Sequence, residues 1–223
     1  MDQKMSRLIC LVGMTIVMAA TRTGCGSDDW PTWRHDSGRS GVTEAKLEVQ
    51  RLRKVWEWKS PIRPQTAWPG PAKWDAYANL KNLIWMRDYD AAFHPIVASD
   101  RVYFGSSVDD SLRCLSLADG SELWHQIVDG PIRSTPTWSQ GRVYFSSDDG
   151  RAYCHDATTG ASLWNYSPPE TQNTPWVLHN GRVISRWPCR TGVLIADGTA
   201  YCGFALFPWQ PSYFCALDAE TGK

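Results

Sequence analysis

The 223-residue chain carries 23 Lys plus Arg against 23 Asp plus Glu, and 43% of its residues are hydrophobic. That apolar share supports a packed core rather than a disordered chain, and the balanced charge provides no basic face to neutralise a phosphate backbone, which argues against a nucleic-acid partner. Trp is the outlier at 13 residues, a usage that calls for a repeated structural position.

Residues 1–25 read as an export signal. Lys4 and Arg7 form a short positive region, and Leu8 to Ala20 is a mostly apolar run, too short to span a bilayer but suited to the core of a signal peptide. Two ends are open to it. One is cleavage after a small residue near Ala19 or Ala20. The other is lipid attachment at Cys25, because Thr23-Gly24-Cys25 resembles the end of a lipobox, with Arg22 where that box takes an aliphatic residue. A buried N-terminal helix is the remaining reading. No later stretch approaches 18 apolar residues. The expected location is the periplasm or cell envelope, lipid-anchored to a membrane if Cys25 is acylated.

Residues 26–93 form an N-terminal segment. Asp28–Gly41 is polar and turn-rich. Lys54-Val55-Trp56-Glu57-Trp58 alternates and predicts one strand, the outer strand of an incomplete blade. Residues 61–93 combine Pro61, Pro64, Pro69, Gly70 and Pro71 with Trp68, Trp74 and Trp85, a long aromatic connection with a short helix expected near Ala76–Met86.

From residue 94 the chain repeats. Asp100-Arg101-Val102-Tyr103-Phe104 matches Gly141-Arg142-Val143-Tyr144-Phe145 at an offset of 41, and Ser106-Ser107-Val108-Asp109 matches Ser146-Ser147-Asp148-Asp149 at 40. Gly120 and Trp124 match Gly160 and Trp164 at 40. A third copy follows: Pro131-Ile132-Arg133-Ser134 matches Pro188-Cys189-Arg190-Thr191 at 57, and Asp156 to Gly160 match Asp218 to Gly222 at 62. Thr171–Trp187 is partly an insertion with its own turn and strand, Asn180-Gly181-Arg182-Val183. The Trp due after Gly222 falls at position 226, so the sequence is expected to end inside a repeat. Short β-rich runs between Gly and Asp turns predict antiparallel hairpins. Four such runs in about 40 residues is the size of a propeller blade. The blades divide at about 94–130, 131–170 and 171–223.

Leu217-Asp218-Ala219-Glu220-Thr221-Gly222, His155-Asp156-Ala157-Thr158-Thr159-Gly160 with Leu163-Trp164, and the weaker Leu115 to Gly120 with Leu123-Trp124 resemble the tryptophan-docking repeat of PQQ-like (pyrroloquinoline-quinone-type) β-propellers. Trp30-Pro31-Thr32-Trp33-Arg34 is similar to the segment that follows the signal peptide in exported members. The docking positions are then Gly120, Trp124, Asp156, Thr159, Gly160, Trp164, Asp218, Thr221 and Gly222. In the first copy Ser116 replaces the Asp and Asp119 replaces the Thr. The Gly accepts a positive φ, Asp and Thr bond turn amides, and the Trp covers the neighbouring blade. The resemblance implies an all-β partial propeller of four-stranded antiparallel blades, three recognisable, plus an N-terminal strand. Propellers close with about four to eight blades, so the chain is expected to be a fragment of a longer exported protein.

The same resemblance gives two functional classes. Scaffolds of this fold, such as the propeller subunit of the outer-membrane β-barrel assembly machinery, imply a non-catalytic protein whose blade loops bind protein partners; this is the leading expectation. Quinoprotein oxidoreductases imply PQQ, calcium, an Asp base and usually a vicinal disulfide. The sequence has no adjacent Cys pair and no CxxCH, and no catalytic, cofactor or metal residue is assigned, so PQQ and calcium belong only to the alternative that the active site lies outside this chain. Arg133 and Arg190, just ahead of the first strand of two blades, are candidates to face a common anionic ligand or partner loop, against the plainer reading that they satisfy loop carbonyls. Asp109, Asp110, Asp148 and Asp149 read as hairpin-turn residues rather than a calcium cluster. His155 reads as a packed strand residue, and Cys114, Cys154 and Cys215 as small buried hydrophobes; disulfides among the cysteines beyond Cys10 stay open in an oxidising compartment, with no pairing set by their spacing. The surplus tryptophans Trp68, Trp74, Trp85, Trp176, Trp187 and Trp209 serve packing or, alternatively, a surface for polysaccharide or a partner.

Overall fold

The computed structural model describes residues 29–46, 50, 52–64, 66–67, 92–172, 176–179 and 181–223. The expected leader with Cys25, the helix near 76–86, and Trp68, Trp74 and Trp85 lie outside these residues. Strands β1 (Ile96–Ala98), β2 (Arg101–Gly105), β3 (Ser111–Ser116) and β4 (Glu122–Ile127) form one antiparallel sheet in chain order. Strands β5 (Thr137–Ser139), β6 (Arg142–Ser146), β7 (Ala152–Asp156) and β8 (Ser162–Tyr166) form a second. Strands β9 (Val177–His179) and β10 (Arg182–Ile184) make a separate hairpin. Strands β11 (Leu194–Ala196), β12 (Thr199–Phe204) and β13 (Tyr213–Asp218) make a three-stranded sheet. No α-helix occurs among the described residues. The described residues are all-β and form a partial propeller, as expected.

The turns follow from the sequence. Gln140-Gly141 and Asp197-Gly198 both take positive φ, 48° and 77° in the first pair and 47° and 75° in the second. Two successive left-handed residues make the turn whose twist matches a two-residue hairpin. The first strands are neighbours, β1 beside β5 and β5 beside β11, so the sheets fan out from a common inner edge. Between the first two sheets lie Tyr103, Leu112, Cys114, Val143, Phe145 and Tyr153. Between the second and third lie Tyr144, Cys154, Cys189, Cys202, Phe204 and Leu217. Val143 and Phe145 face one neighbour and Tyr144 the other, the period-two alternation of a strand buried on both faces.

Three details differ from the sequence reading. The change in repeat offset falls in the β2–β3 turn, because Gly105 faces Leu112 where Ser146 faces Ala152. The insertion hairpin stands apart from the third sheet. Lys54–Trp58 keeps its alternation but pairs with no strand among the described residues.

Antiparallel order gives each sheet two unlike ends. The β1–β2 and β3–β4 turns and their equivalents lie at one end, here the turn end. The β2–β3 turns and the connections to the next sheet lie at the other, the loop end.

Candidate functional site

At the turn end one arrangement recurs. The Trp124 indole Nε1 and the Tyr103 hydroxyl both donate to the Ala157 carbonyl, at 3.3 and 3.1 Å. Trp164 and Tyr144 both donate to the Ala219 carbonyl, each at 3.1 Å. Each indole lies on the next turn's glycine: a Cβ on Gly160 or Gly222 would meet Trp124 or Trp164 at 2.8 Å. Both glycines hold φ near +74° and +73°, so glycine is required for space and for conformation. Asp156 Oδ1 accepts from the Thr158 and Thr159 amides and the Thr159 hydroxyl, and Asp218 does the same with Glu220 and Thr221. These bonds to Thr159 and Thr221 lower both carboxyls. In the first sheet Asp119 accepts from Ser121 and is lowered by it and by Ser116, so exchanging Asp and hydroxyl positions keeps the turn bonded.

Gly120 has its own tryptophan, which the sequence reading missed. Trp56 Nε1 donates to Leu117 O at 2.7 Å, and a Cβ on Gly120 would lie 2.5 Å from its ring. Trp56 does for the first sheet what Trp124 and Trp164 do for the next two. The Val-Trp-Glu-Trp alternation was a signal for a strand, but no turn glycine precedes it to mark the Trp as part of the repeat.

At the loop end the two candidate arginines converge. Arg133 Nε donates to Asp148 Oδ2 at 2.7 Å; Arg190 donates through Nε to Oδ1 at 2.7 Å and through Nη2 to Oδ2 at 2.9 Å. The Asp148 side chain is 1% exposed, against 5% and 13% for the two arginines. The anion they share is thus this chain's own, and Asp148 is more than a turn residue: it ties the connections into the second and third sheets to the β6–β7 turn. The backbone repeats the tie. Ile132 N donates to Ser106 O, Cys189 N to Ser147 O, Asp148 N to Pro131 O and Ala205 N to Pro188 O, at 2.9 to 3.3 Å.

The other acidic candidates are engaged separately. Burial raises Asp109, but bonds from Ser106, Arg113 and Ser111 outweigh it and hold the carboxyl at about 2. Burial raises Asp110 despite its pair with Arg182, and raises Asp149 despite the Tyr153 hydroxyl. Among the described residues no three His, Cys, Asp or Glu gather to hold a metal. Calcium needs several oxygens on one point, and both Asp148 oxygens accept from guanidinium groups. These carboxylates therefore do not fit a calcium ligand set or a free base, and no chemical step is derived from them.

The N-terminal segment lines the inner edge. Trp30 and Val97 exchange backbone bonds of 2.7 and 3.0 Å, and Trp138 N donates to Pro31 O at 2.7 Å. The Thr137 hydroxyl donates to Val193 O at 2.6 Å, so the Thr32 hydroxyl, 2.9 Å away, donates to Thr137. This chain of bonds leaves a cleft of about 220 Å³ lined by Trp33, Arg39, His94, Arg133, Thr135 and Arg190. A separate polar hollow of about 310 Å³, at the loop end of β7 and β8, is lined by Arg151, Asn165, Gln172, Trp176 and Ser185. The tryptophans divide. Trp187 is buried and donates to Pro211 O at 2.9 Å. Trp33, Trp176 and Trp209 are 48%, 47% and 71% exposed. Arg39 stacks on Trp33, and Phe207 stacks on Trp209.

The remaining expectations fall at the strands. Cys114, Cys154, Cys189 and Cys202 are buried and Cys215 half-buried, all free. Burial pushes the Cys154 thiol up to about 12 and lowers His155 to about 4. No helix among the described residues is long and apolar enough to cross a membrane.

Two antiparallel four-stranded sheets and a three-stranded one fan out from neighbouring inner strands, the first two each clasping the next by a Tyr and Trp pair on a turn carbonyl, and together define a β-propeller of the PQQ-like class. The family described as outer membrane protein assembly factor BamB matches residues 53–223, and the chain belongs to that family. The outer membrane protein assembly factor BamB of Shewanella oneidensis is 28% identical over 97 residues, 37% of this chain and 25% of the relative. The chain thus spans about a quarter of that relative's length. Among solved structures, quinohemoprotein alcohol dehydrogenases from Pseudomonas putida HK5 and Comamonas testosteroni align over 88% and 87% of this chain and 26% of theirs, at 16% and 19% identity, with TM-scores of 0.59 and 0.54. That likeness concerns the fold.

Proposed function

We propose that this chain is a non-catalytic binding scaffold of the cell envelope whose loop end takes protein partners, by analogy with outer-membrane assembly factors of its family. The observation that carries the reading is the set of solvent-facing tryptophans on that end, Trp33, Trp176 and Trp209, with Arg39 beside Trp33. Trp and Arg are the residues that most often dominate binding at protein interfaces, and loops on a rigid scaffold are where binding residues concentrate. Arg133 and Arg190 serve this surface from behind, by fixing the connections on which Thr135 and Thr191 stand. An export leader, with or without acylation at Cys25, delivers the scaffold to the envelope.

The test is retention of envelope proteins on the immobilised chain and on a Trp33→Ser, Trp176→Ser, Trp209→Ser variant with an unchanged melting temperature. Specific retention by the parent alone is the expected result. Equal retention by both, or quinone absorbance and dye-linked alcohol oxidation after loading with PQQ and calcium, would overturn the reading. The second outcome would favour the oxidoreductase class, and glycan binding in place of protein would favour a polysaccharide surface.

A further inference from the structure

The cleft at the inner edge is lined mainly by cationic and hydroxyl side chains. Trp33, Arg39, His94, Arg133, Thr135 and Arg190 bring three guanidinium groups and an imidazole to it, and among the described residues no Asp or Glu lines it. Arg133 and Arg190 are largely buried and engaged with Asp148. Arg39 is placed differently. It is exposed, and its guanidinium carbon lies 5.0 Å from the centre of the Trp33 ring. Arg34 approaches the same ring at 5.9 Å. Among the described residues neither Arg34 nor Arg39 makes an ion pair or a side-chain hydrogen bond, and the Thr135 hydroxyl makes no bond. A Trp face with guanidinium groups on it presents donors that suit an anion.

The loop that carries this cluster is strained and tightly bonded. Arg34, His35 and Arg39 hold φ of 58°, 83° and 56°, left-handed values that disfavour residues other than glycine. Gly41 N donates to Arg34 O at 2.8 Å, Arg39 N to Asp36 O at 2.9 Å and Ser40 N to Asp36 Oδ1 at 3.0 Å. The Ser40 hydroxyl donates to Asp36 Oδ2 and His35 Nδ1 lies 3.6 Å from it, so the one carboxylate of the loop is already engaged. Strain that surrounding bonds maintain gathers at ligand clamps, and a loop fixed in advance loses less freedom on binding.

Size decides what can enter. The cleft holds about 220 Å³, below the roughly 300–1,000 Å³ of small-molecule and cofactor sites. It has room for a single side chain.

We infer that the cleft receives the carboxylate of an Asp or Glu side chain from an extended acidic segment of the partner protein. Arg39 donates charge-assisted hydrogen bonds to the carboxylate and the Thr135 hydroxyl donates another. The Trp33 ring carries the residue beside it, and Arg34 attracts the acidic segment at the rim. The inference rests on the binding role proposed above and names the kind of partner.

The test is fluorescence anisotropy with the labelled peptide Gly-Glu-Gly-Glu-Gly-Glu and its counterpart with Gln in place of Glu. Trp33 and Arg39 are exposed, so their variants keep the fold, which an unchanged melting temperature checks. The expected result is binding of the Glu peptide alone, weakened about tenfold by Arg39→Gln through loss of a charged hydrogen-bond donor. Trp33→Ser should weaken it too, and Arg151→Gln, at the same end but outside the cleft, should leave it unchanged. Equal binding of both peptides, binding of neither, or equal losses from Arg39→Gln and Arg151→Gln would overturn the inference. Retention of envelope proteins separates it from the reading beneath it. Retention that survives Arg39→Gln but is lost in the triple tryptophan variant keeps the scaffold and defeats the acidic partner. A parent chain that retains no envelope protein yet binds the Glu peptide through Arg39 defeats the scaffold and sustains the carboxylate site.

Discussion

The turn end and the loop end hold the same three sheets together with opposite materials. At the turn end three short turns repeat one solution: an acidic side chain folded over its own amides, a left-handed glycine, and an indole from the preceding outer strand. At the loop end no two connections match in length, and the sheets are tied by one buried carboxylate between two guanidinium groups and by backbone bonds from each connection to the preceding turn. Repetition suits a surface that needs only to pack. Variation suits a surface that has to present particular side chains, and there the exposed tryptophans stand.

The largest effect expected from perturbing this contrast lies at the loop end. Asp148→Ala leaves Arg133 and Arg190 without their shared carboxylate in a site where all three groups are largely out of solvent. A loss of about 3–5 kcal/mol in urea unfolding is expected, while replacing all three residues together with apolar side chains of similar volume should cost much less. At the turn end the discriminating pair is Gly160→Ala and Gly141→Ala. Both glycines have positive φ, +74° and +77°, but only Gly160 lies against an indole; a Cβ on Gly141 meets nothing within 4 Å. Gly160→Ala should cost about 2–4 kcal/mol from conformation and overpacking combined, and Gly141→Ala about 1–2 kcal/mol from conformation alone. Equal losses would mean that the indole contact contributes nothing.

Between the ends, His155 provides a pH signature. Burial lowers its folded value to about 4, and a ring nitrogen remains buried without a partner in the structure. The unfolded residue titrates near 6.5, so between about pH 4 and 6.5 the unfolded chain binds more protons and stability falls as the pH falls. The contribution at stake is about 3 kcal/mol. His155→Leu, the residue type at equivalent positions Leu115 and Leu217, should flatten that slope. The smallest effect is expected at the loop-end surface, where Arg151 and Asp129 pair at 3.1 Å with side chains 40% and 68% exposed. Asp129→Asn should change stability by less than about 1 kcal/mol, and melting at two salt concentrations checks it.

The same contrast explains what could be read from the sequence. The turn end was legible because identical geometry imposes identical residues: Asp156, Thr159, Gly160 and Trp164 announce their counterparts Asp218, Thr221 and Gly222 at a fixed spacing. Trp56 escaped because its own sheet contributes no preceding turn, so no neighbouring glycine flagged it. The loop end was legible only in part. The equivalence of Arg133 and Arg190 was visible, but their common partner lies 15 and 42 residues away in the chain, on a turn whose Asp148-Asp149 pair looks like ordinary turn chemistry. The role of Trp30 to Trp33 along the inner strands was likewise invisible, because it depends on bonds to Val97 and Trp138 that no local pattern encodes.

The central claim is that partners meet the loop end and not the turn end. It is tested most directly by placing a photocross-linking side chain at Trp209 in one variant and at Gln140 in another, then irradiating cells that export the chain. The account predicts protein adducts from position 209 and none above background from position 140. Adducts of equal yield from both positions, or from position 140 alone, would contradict it.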